Sequence, residues 1–218
     1  MELKYKNWNE ISINTFNELK NIDYNKEEGI LGELEANVEL LSILCDVEDE
    51  VISNLSTTEF HNLLMQTEFL KEMPKVKVQD KYVINGKKYK LFLTLRDMTI
   101  SQYIDFQTYY KDYNNKFAEC LSCFLIPEGN KYGEGYDVGE VIADIGNYMS
   151  IVDANSIMFF FALLYRSLTK ATLSYSITQM KKMMKKTKDR EEKNKLGIAI
   201  RETEKAMNLL QNGDGFIW

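Results

Sequence analysis

Ile157-Met158-Phe159-Phe160-Phe161-Ala162-Leu163-Leu164-Tyr165 is the stretch from which the fold is read. It is apolar on every face of a helix for more than two turns, and beyond it only a stripe continues, Leu168, Leu173, Ile177, Met180 and Met184. Arg166, Lys170, Lys181 and Lys182 lie off that stripe. A helix apolar all round is buried in a protein centre or a membrane. The fully apolar part is about half the roughly 20 residues that a bilayer needs, and Arg166 and Lys170 interrupt it. The pattern therefore predicts a core helix over 157–184 whose first half the other elements cover and whose second half emerges into solvent.

Those other elements are mostly helices. Ser12 caps a helix carrying Ile13, Phe16, Leu19 and Ile22, after a segment anchored by Trp8 and Ile11. A second helix, from about Lys26 to Cys45, places Ile30, Leu34, Val38, Leu41 and Leu44 on one expected inner stripe. Thr57 starts another helix, with Phe60, Leu63, Leu64 and Phe69 inward, ended by Pro74. The texture then changes: Tyr82 to Leu93 alternates around Asn85-Gly86, the pair that a type I′ hairpin turn requires. Thr99 and Gln102 form a capping box for a helix through Tyr110, and Phe117–Leu125 reads as a short apolar helix stopping before Pro127. A glycine-rich loop leads to Asp137, which caps a helix over 138–148, and Asp153 or Asn155 is expected to cap the central helix. Residues 187–195 either continue that helix or bend into a last one carrying Leu196, Ile200, Met207 and Leu210. Asn212-Gly213-Asp214-Gly215 ends it as a hinge before an aromatic tail.

The expected fold is mainly α, a multi-helix bundle around a buried central helix with one small β-hairpin on its flank. It reads as a single domain in four parts: acidic helices over 1–74, the hairpin over 75–95, the helical core over 96–187, and the last helix and tail over 188–218.

Charge is unevenly spread. Net charge is −6, which gives no global attraction to nucleic acid. Residues 1–60 carry fourteen acids against four lysines, whereas 181–195 carry eight bases against three acids. The chain is electrically bipolar. Three cysteines make no disulfide framework, and Met1-Glu2-Leu3-Lys4 has no signal-peptide character, so a reducing cytoplasm is expected.

No catalytic signature stands out. Cys120-Leu121-Ser122-Cys123 has the spacing of a redox or metal pair, but it sits in an apolar helix with no second pair to complete a zinc site, and buried core cysteines are the favoured reading. Gly129, Gly133, Gly135 and Gly139 lack the Lys-Ser/Thr of a phosphate loop and follow a helix where a dinucleotide fingerprint follows a strand. His61, the single histidine, has no adjacent nucleophile. Asp105, Asp137, Glu140 and Asp144 are candidates to gather near the glycine loop, though acids in first helical turns are better read as dipole complements. No residues are assigned to catalysis, a cofactor or a metal. Partner binding is expected of Lys181, Lys182, Lys185 and Lys186, and of Phe216, Ile217 and Trp218, since three large apolar side chains at a chain end need a pocket.

Two stretches carry a resemblance: Tyr89-Lys90-Leu91 leading to Asp97-Met98-Thr99-Ile100-Ser101-Gln102-Tyr103-Ile104-Asp105-Phe106-Gln107, and Phe124-Leu125-Ile126-Pro127 leading to Tyr132-Gly133-Glu134-Gly135-Tyr136-Asp137. Over roughly residues 80–175 the chain resembles proteins of the virion and tail-assembly modules of tailed bacteriophages, particularly crAss-like phages of Bacteroides. The resemblance implies a mostly helical, non-enzymatic ring or connector subunit of the portal–tail region. The alternative is a tail-assembly chaperone absent from the virion. Implied partners are further copies in a ring and other virion proteins, close to packaged DNA without sequence-specific binding, and no membrane. The implied location is the virion, assembled in the host cytoplasm.

Overall fold

The structure, a computed structural model, describes residue 4 and residues 6–24, 30–92 and 98–211. Among them are nine α-helices: α1 Ile13–Lys20, α2 Ile30–Cys45, α3 Asp49–Ser53, α4 Thr57–Gln66, α5 Ile100–Tyr110, α6 Phe117–Ser122, α7 Val138–Tyr148, α8 Ile151–Lys186 and α9 Arg190–Gln211. A 3-10 turn, Thr67–Lys71, follows α4. Three short strands, β1 Lys81–Ile84, β2 Lys87–Leu91 and β3 Leu125–Pro127, form one antiparallel sheet in that order. The fold is mainly α with a small β-hairpin, as expected. The chain divides into two compact units, Met1–Ile157 and Met158–Trp218, with the boundary inside α8.

In the first unit the caps explain where helices begin. Ser12 Oγ accepts the Thr15 amide at 3.1 Å. Ser56 with Glu59, and Thr99 with Gln102, form reciprocal capping boxes for α4 and α5. Asp137 Oδ1 accepts the Gly139 amide at 2.7 Å. The cap of α8 differs from expectation. Neither Asp153 nor Asn155 serves; Ser150 Oγ accepts the Asp153 amide at 3.2 Å and donates to the Asp153 carboxylate at 3.0 Å. The helix therefore starts a turn earlier, at Ile151, where its amide also bonds the Ile11 carbonyl at 2.9 Å.

The hairpin turns through Asn85 and Gly86 at φ 50° and 71°, with Tyr82 opposite Tyr89 and Ile84 opposite Lys87. Tyr82, Ile84, Tyr89 and Leu91 point into the core while Lys81, Val83, Lys88 and Lys90 face out, the alternation a half-buried sheet requires. The third strand corrects the sequence reading. Helix α6 ends at Ser122, and Leu125-Ile126-Pro127 pairs with Leu91-Lys90-Tyr89. A short apolar run cannot be assigned to helix or strand by periodicity alone. Here the open edge of β2 decides, because its backbone groups need partners.

Core density is centred on that turn. Cys120, Leu121, Cys123, Phe124, Leu125 and Ile126 are all at most 1% exposed. Helix α6 packs on α5 and α7, and α1 packs on α7 and α2. Trp8 closes the far side: its indole N–H bonds the carbonyls of Phe69 and Glu72 at 2.9 and 3.0 Å, and its ring meets Phe69 edge-on.

Helix α2 corrects a second expectation. Its buried residues are Gly32, Ala36, Leu40, Leu41, Ser42, Leu44 and Cys45, so Leu41 and Leu44 of the expected stripe lie inside while Ile30 and Leu34 do not. Ile30, Leu31 and Leu34 are 85%, 65% and 47% exposed, so the helix is covered mainly over its second half. On α4, Phe60, Leu63 and Leu64 are half-buried, with none fully enclosed.

Helix α8, at 36 residues, is about 54 Å long. Ile157, Met158 and Phe161 are buried, yet Phe159 and Leu163 are about half exposed, so its apolar start is covered on one side rather than all round. In the second unit the chain bends at 187–189 instead of continuing straight. Lys181 then reaches Glu204 of α9 at 2.9 Å. Ile177 and Ile200 are buried and Leu173, Met180, Met184 and Leu196 half-buried, on the expected stripes. The side chains of Leu168, Met207 and Leu210 lie outside the described residues.

Candidate functional site

Apart from His61, the chemically suggestive groups of the first unit prove to be fastened into the fold. Cys120 and Cys123 are free thiols with no exposed surface. Burial, and for Cys120 the neighbouring Cys123 and Glu119 as well, pushes both up to about 12, so they are neutral thiols where a redox or metal pair needs thiolate. Cys123 Sγ lies 3.8 Å from the Tyr132 hydroxyl, which donates to Asp105 at 2.9 Å. Burial first, then Cys123 and Asp105, raises the Tyr132 phenol well above its ordinary value. Gln102, 2% exposed, joins the same cluster: the amide that completes the α5 capping box also donates to the Cys123 carbonyl. Sequence reasoning assigned Gln102 to the cap alone; its second role depends on the chain folding back 21 residues later.

The glycine loop is a fitted connection. Tyr132 ties it to α5, Glu128 pairs with Lys81 at 2.5 Å, and the Gly133 amide bonds the Tyr136 hydroxyl at 3.2 Å. Gly135 has φ 81°, and a Cβ there would lie 2.9 Å from Asn130 Oδ1.

The four carboxylates do not converge. Asp105 holds Tyr132, Asp137 caps α7, and Glu140 with Asp144 grips the hairpin. Asp144 is the buried member. It accepts Asn85 Nδ2 at 2.8 Å, Lys87 Nζ at 2.9 Å and the Tyr89 hydroxyl at 2.8 Å, and Lys87 also reaches Glu140 at 2.6 Å. Burial alone would raise the Asp144 carboxyl, but the three donors outweigh it and hold it below its ordinary value. Among the described residues no group of three His, Cys, Asp or Glu is arranged to hold a metal. His61 is exposed on α4.

What remains is a pair of charged surfaces, one in each unit. On the first unit a groove of about 380 Å³ lies along α2, lined in part by Gly32 and Ala36. Leu34, Val38 and Ser53 add to its walls, and its charged residues are Asp23, Glu35, Glu39 and Asp49. Among the described residues no basic residue lines it. Burial, with the nearby Glu39 charge adding to it, raises the Tyr24 phenol. Among the described residues Glu33, Glu35, Glu39 and Asp49 have no cationic partner.

On the second unit Lys181, Lys182, Lys185 and Lys186 occupy the end of α8, all exposed. Lysines here complement the helix C-terminus. The acids that would neutralise the bend are already engaged. Asp189 caps α9 through the Glu191 amide at 2.7 Å, Glu191 pairs with Lys195 at 2.8 Å, and Glu192 bonds Thr187. Lys182, Lys185, Lys186, Lys188, Arg190 and Lys193 consequently have no acidic partner among the described residues. Met183, about half exposed, sits between them. Phe216, Ile217 and Trp218 and the hinge before them lie outside the described residues, as does Asp97 of the first resemblance stretch.

No helix among the described residues is long and apolar enough to cross a membrane. No family model matches the chain, and no curated protein or solved structure matches it either.

Proposed function

We propose that the chain is a non-enzymatic structural subunit of a tailed bacteriophage particle, a ring or connector component of the portal–tail region that assembles in the host cytoplasm. One observation carries the reading: two surfaces of opposite sign, each with unpaired charges around exposed apolar side chains. Like charges within each surface repel one another, and opposite patches on separate copies are complementary. A head-to-tail contact of this kind is heterologous, and it closes into a ring when the rotation per copy divides a full turn.

The resemblance supports the same direction. Its quoted segments map onto β2, the cap and body of α5, β3 and the loop into α7, with Tyr89, Leu91, Leu125 and Ile126 in the core. The neighbours are further copies and other virion proteins. Packaged DNA lies nearby without sequence-specific contact, and the basic bend carries no interleaved aromatic residues of the kind that stack on single-stranded bases.

Mass spectrometry of purified particles from a phage encoding this chain tests the proposal. The chain is expected among the virion proteins at a fixed multiple of the portal. Detection in infected-cell lysate but not in purified particles would instead assign it to the assembly chaperones.

A further inference from the structure

We infer that the groove along α2 receives the lysine-rich bend between α8 and α9 of a second copy of this chain, an assignment that rests on the assembly reading above and gives it a specific contact. Two independent features of α2 point to an occupant. First, Ile30, Leu31 and Leu34 stand exposed on the first turns of a helix whose second half is buried. Contiguous exposed aliphatic side chains rimmed by charge mark protein–protein contacts. Second, the groove, which Leu34 joins, is lined by carboxylates with no base among the described residues of its walls.

The chemistry of the occupant follows from both. It must bring several cations at once and an apolar side chain among them. The bend of the second unit has that composition: Lys182, Lys185 and Lys186 around Met183, then Lys188 and Arg190, with its own acids engaged in a cap, an i,i+4 pair and a hydroxyl bond. Apolar centre meets apolar centre, and the rims have opposite sign. Interfaces are built this way, with a dehydrated middle that carries affinity and a charged rim that sets register and encounter rate. Long lysine stems can also cover Leu31 and Leu34 while their ammonium groups reach the carboxylates.

The test is a charge exchange between two variants of the full chain. One carries Glu35→Lys and Glu39→Lys in the groove; the other carries Lys182→Glu, Lys185→Glu and Lys186→Glu at the bend. All five positions are exposed, and circular dichroism checks that each variant keeps its helix content. Where the lysine pair loses helix content, Glu35→Gln with Glu39→Gln replaces it. In sedimentation at low salt each reversed variant alone is expected to associate at least about tenfold more weakly than the natural chain, because like charges now face each other. Mixed one to one, the two should recover association, since the groove of each now matches the bend of the other. A contact within one chain cannot be recovered by mixing.

Three results would overturn the inference. Groove variants that associate as tightly as the natural chain would leave self-assembly standing and place its interface elsewhere. Variants that fail alone and stay apart when mixed would show that these two faces do not meet. A natural chain that stays monomeric at low salt and high concentration would remove both the contact and the assembly reading beneath it.

Discussion

Replacing Asp144 with alanine should destabilise the first unit by about 2–4 kcal/mol. The magnitude follows from the fate of each donor. Lys87, 44% exposed, turns to water and keeps Glu140 at 2.6 Å. Asn85, at the hairpin turn, is also able to reach solvent. Tyr89 has no such escape, being 1% exposed, so its hydroxyl stays buried without an acceptor. An unsatisfied buried donor costs about 1–3 kcal/mol, and the lost charge-assisted bonds add to it. Urea unfolding followed by circular dichroism reads the change as a shift in midpoint. The decisive comparison is a cycle with Tyr89→Phe. With both partners gone, nothing polar is stranded, so the double variant should be less unstable than the sum of the singles by about 1–2 kcal/mol. Additive effects, or a loss under about 0.5 kcal/mol for Asp144→Ala, would refute the view that this network holds the hairpin to α7.

The same carboxylate has a pH signature. Its folded value lies below the usual one, so its contribution is present above the unfolded value of about 3.9 and is lost as pH falls through the folded value; Asp144→Asn should flatten that acid limb of a stability profile. Changing Cys120 and Cys123 to alanine should cost on the order of 1 kcal/mol each, as for other small deletions from a packed core, while one bound zinc per purified chain would contradict the buried-thiol account. Both thiols should resist alkylation at pH 8 in the folded chain and react once it is unfolded. Ser150→Ala should lower the melting temperature through loss of the α8 cap, worth about 1 kcal/mol, and an unchanged melting curve would show that the bond to Ile11 suffices. Gly135→Ala should cost about 1–3 kcal/mol, from an unfavourable φ and from contact with Asn130.

Local signals were legible in the sequence where a short-range rule decides. Asn85-Gly86, Ser12, Asp137 and the Thr99–Gln102 box lie where local chemistry puts them. Failures occurred where a distant partner decides. Leu125–Pro127 became a strand because β2 offered an edge, and the α2 stripe is buried at Leu41 and Leu44 but uncovered at Ile30 and Leu34. Nothing local in Asp144 distinguished it from Asp137, although one is a buried three-donor anchor and the other an exposed cap. The charged surfaces were half legible. The opposite signs are plain from residue counts, and the lysines lie exposed at the bend as expected. The groove and the uncovered Ile30, Leu31 and Leu34 were not legible, because periodicity marks a stripe without saying which of its turns are covered.

Native mass spectrometry of the purified chain at low and at high ionic strength tests the claim of charge-driven assembly most directly. Exposed charges lose one another beyond about 8 Å at physiological ionic strength. A single closed stoichiometry larger than a dimer at low ionic strength, dissociating toward monomer as salt rises, is the predicted result. Monomer at every ionic strength, or an assembly that salt leaves intact, would contradict it.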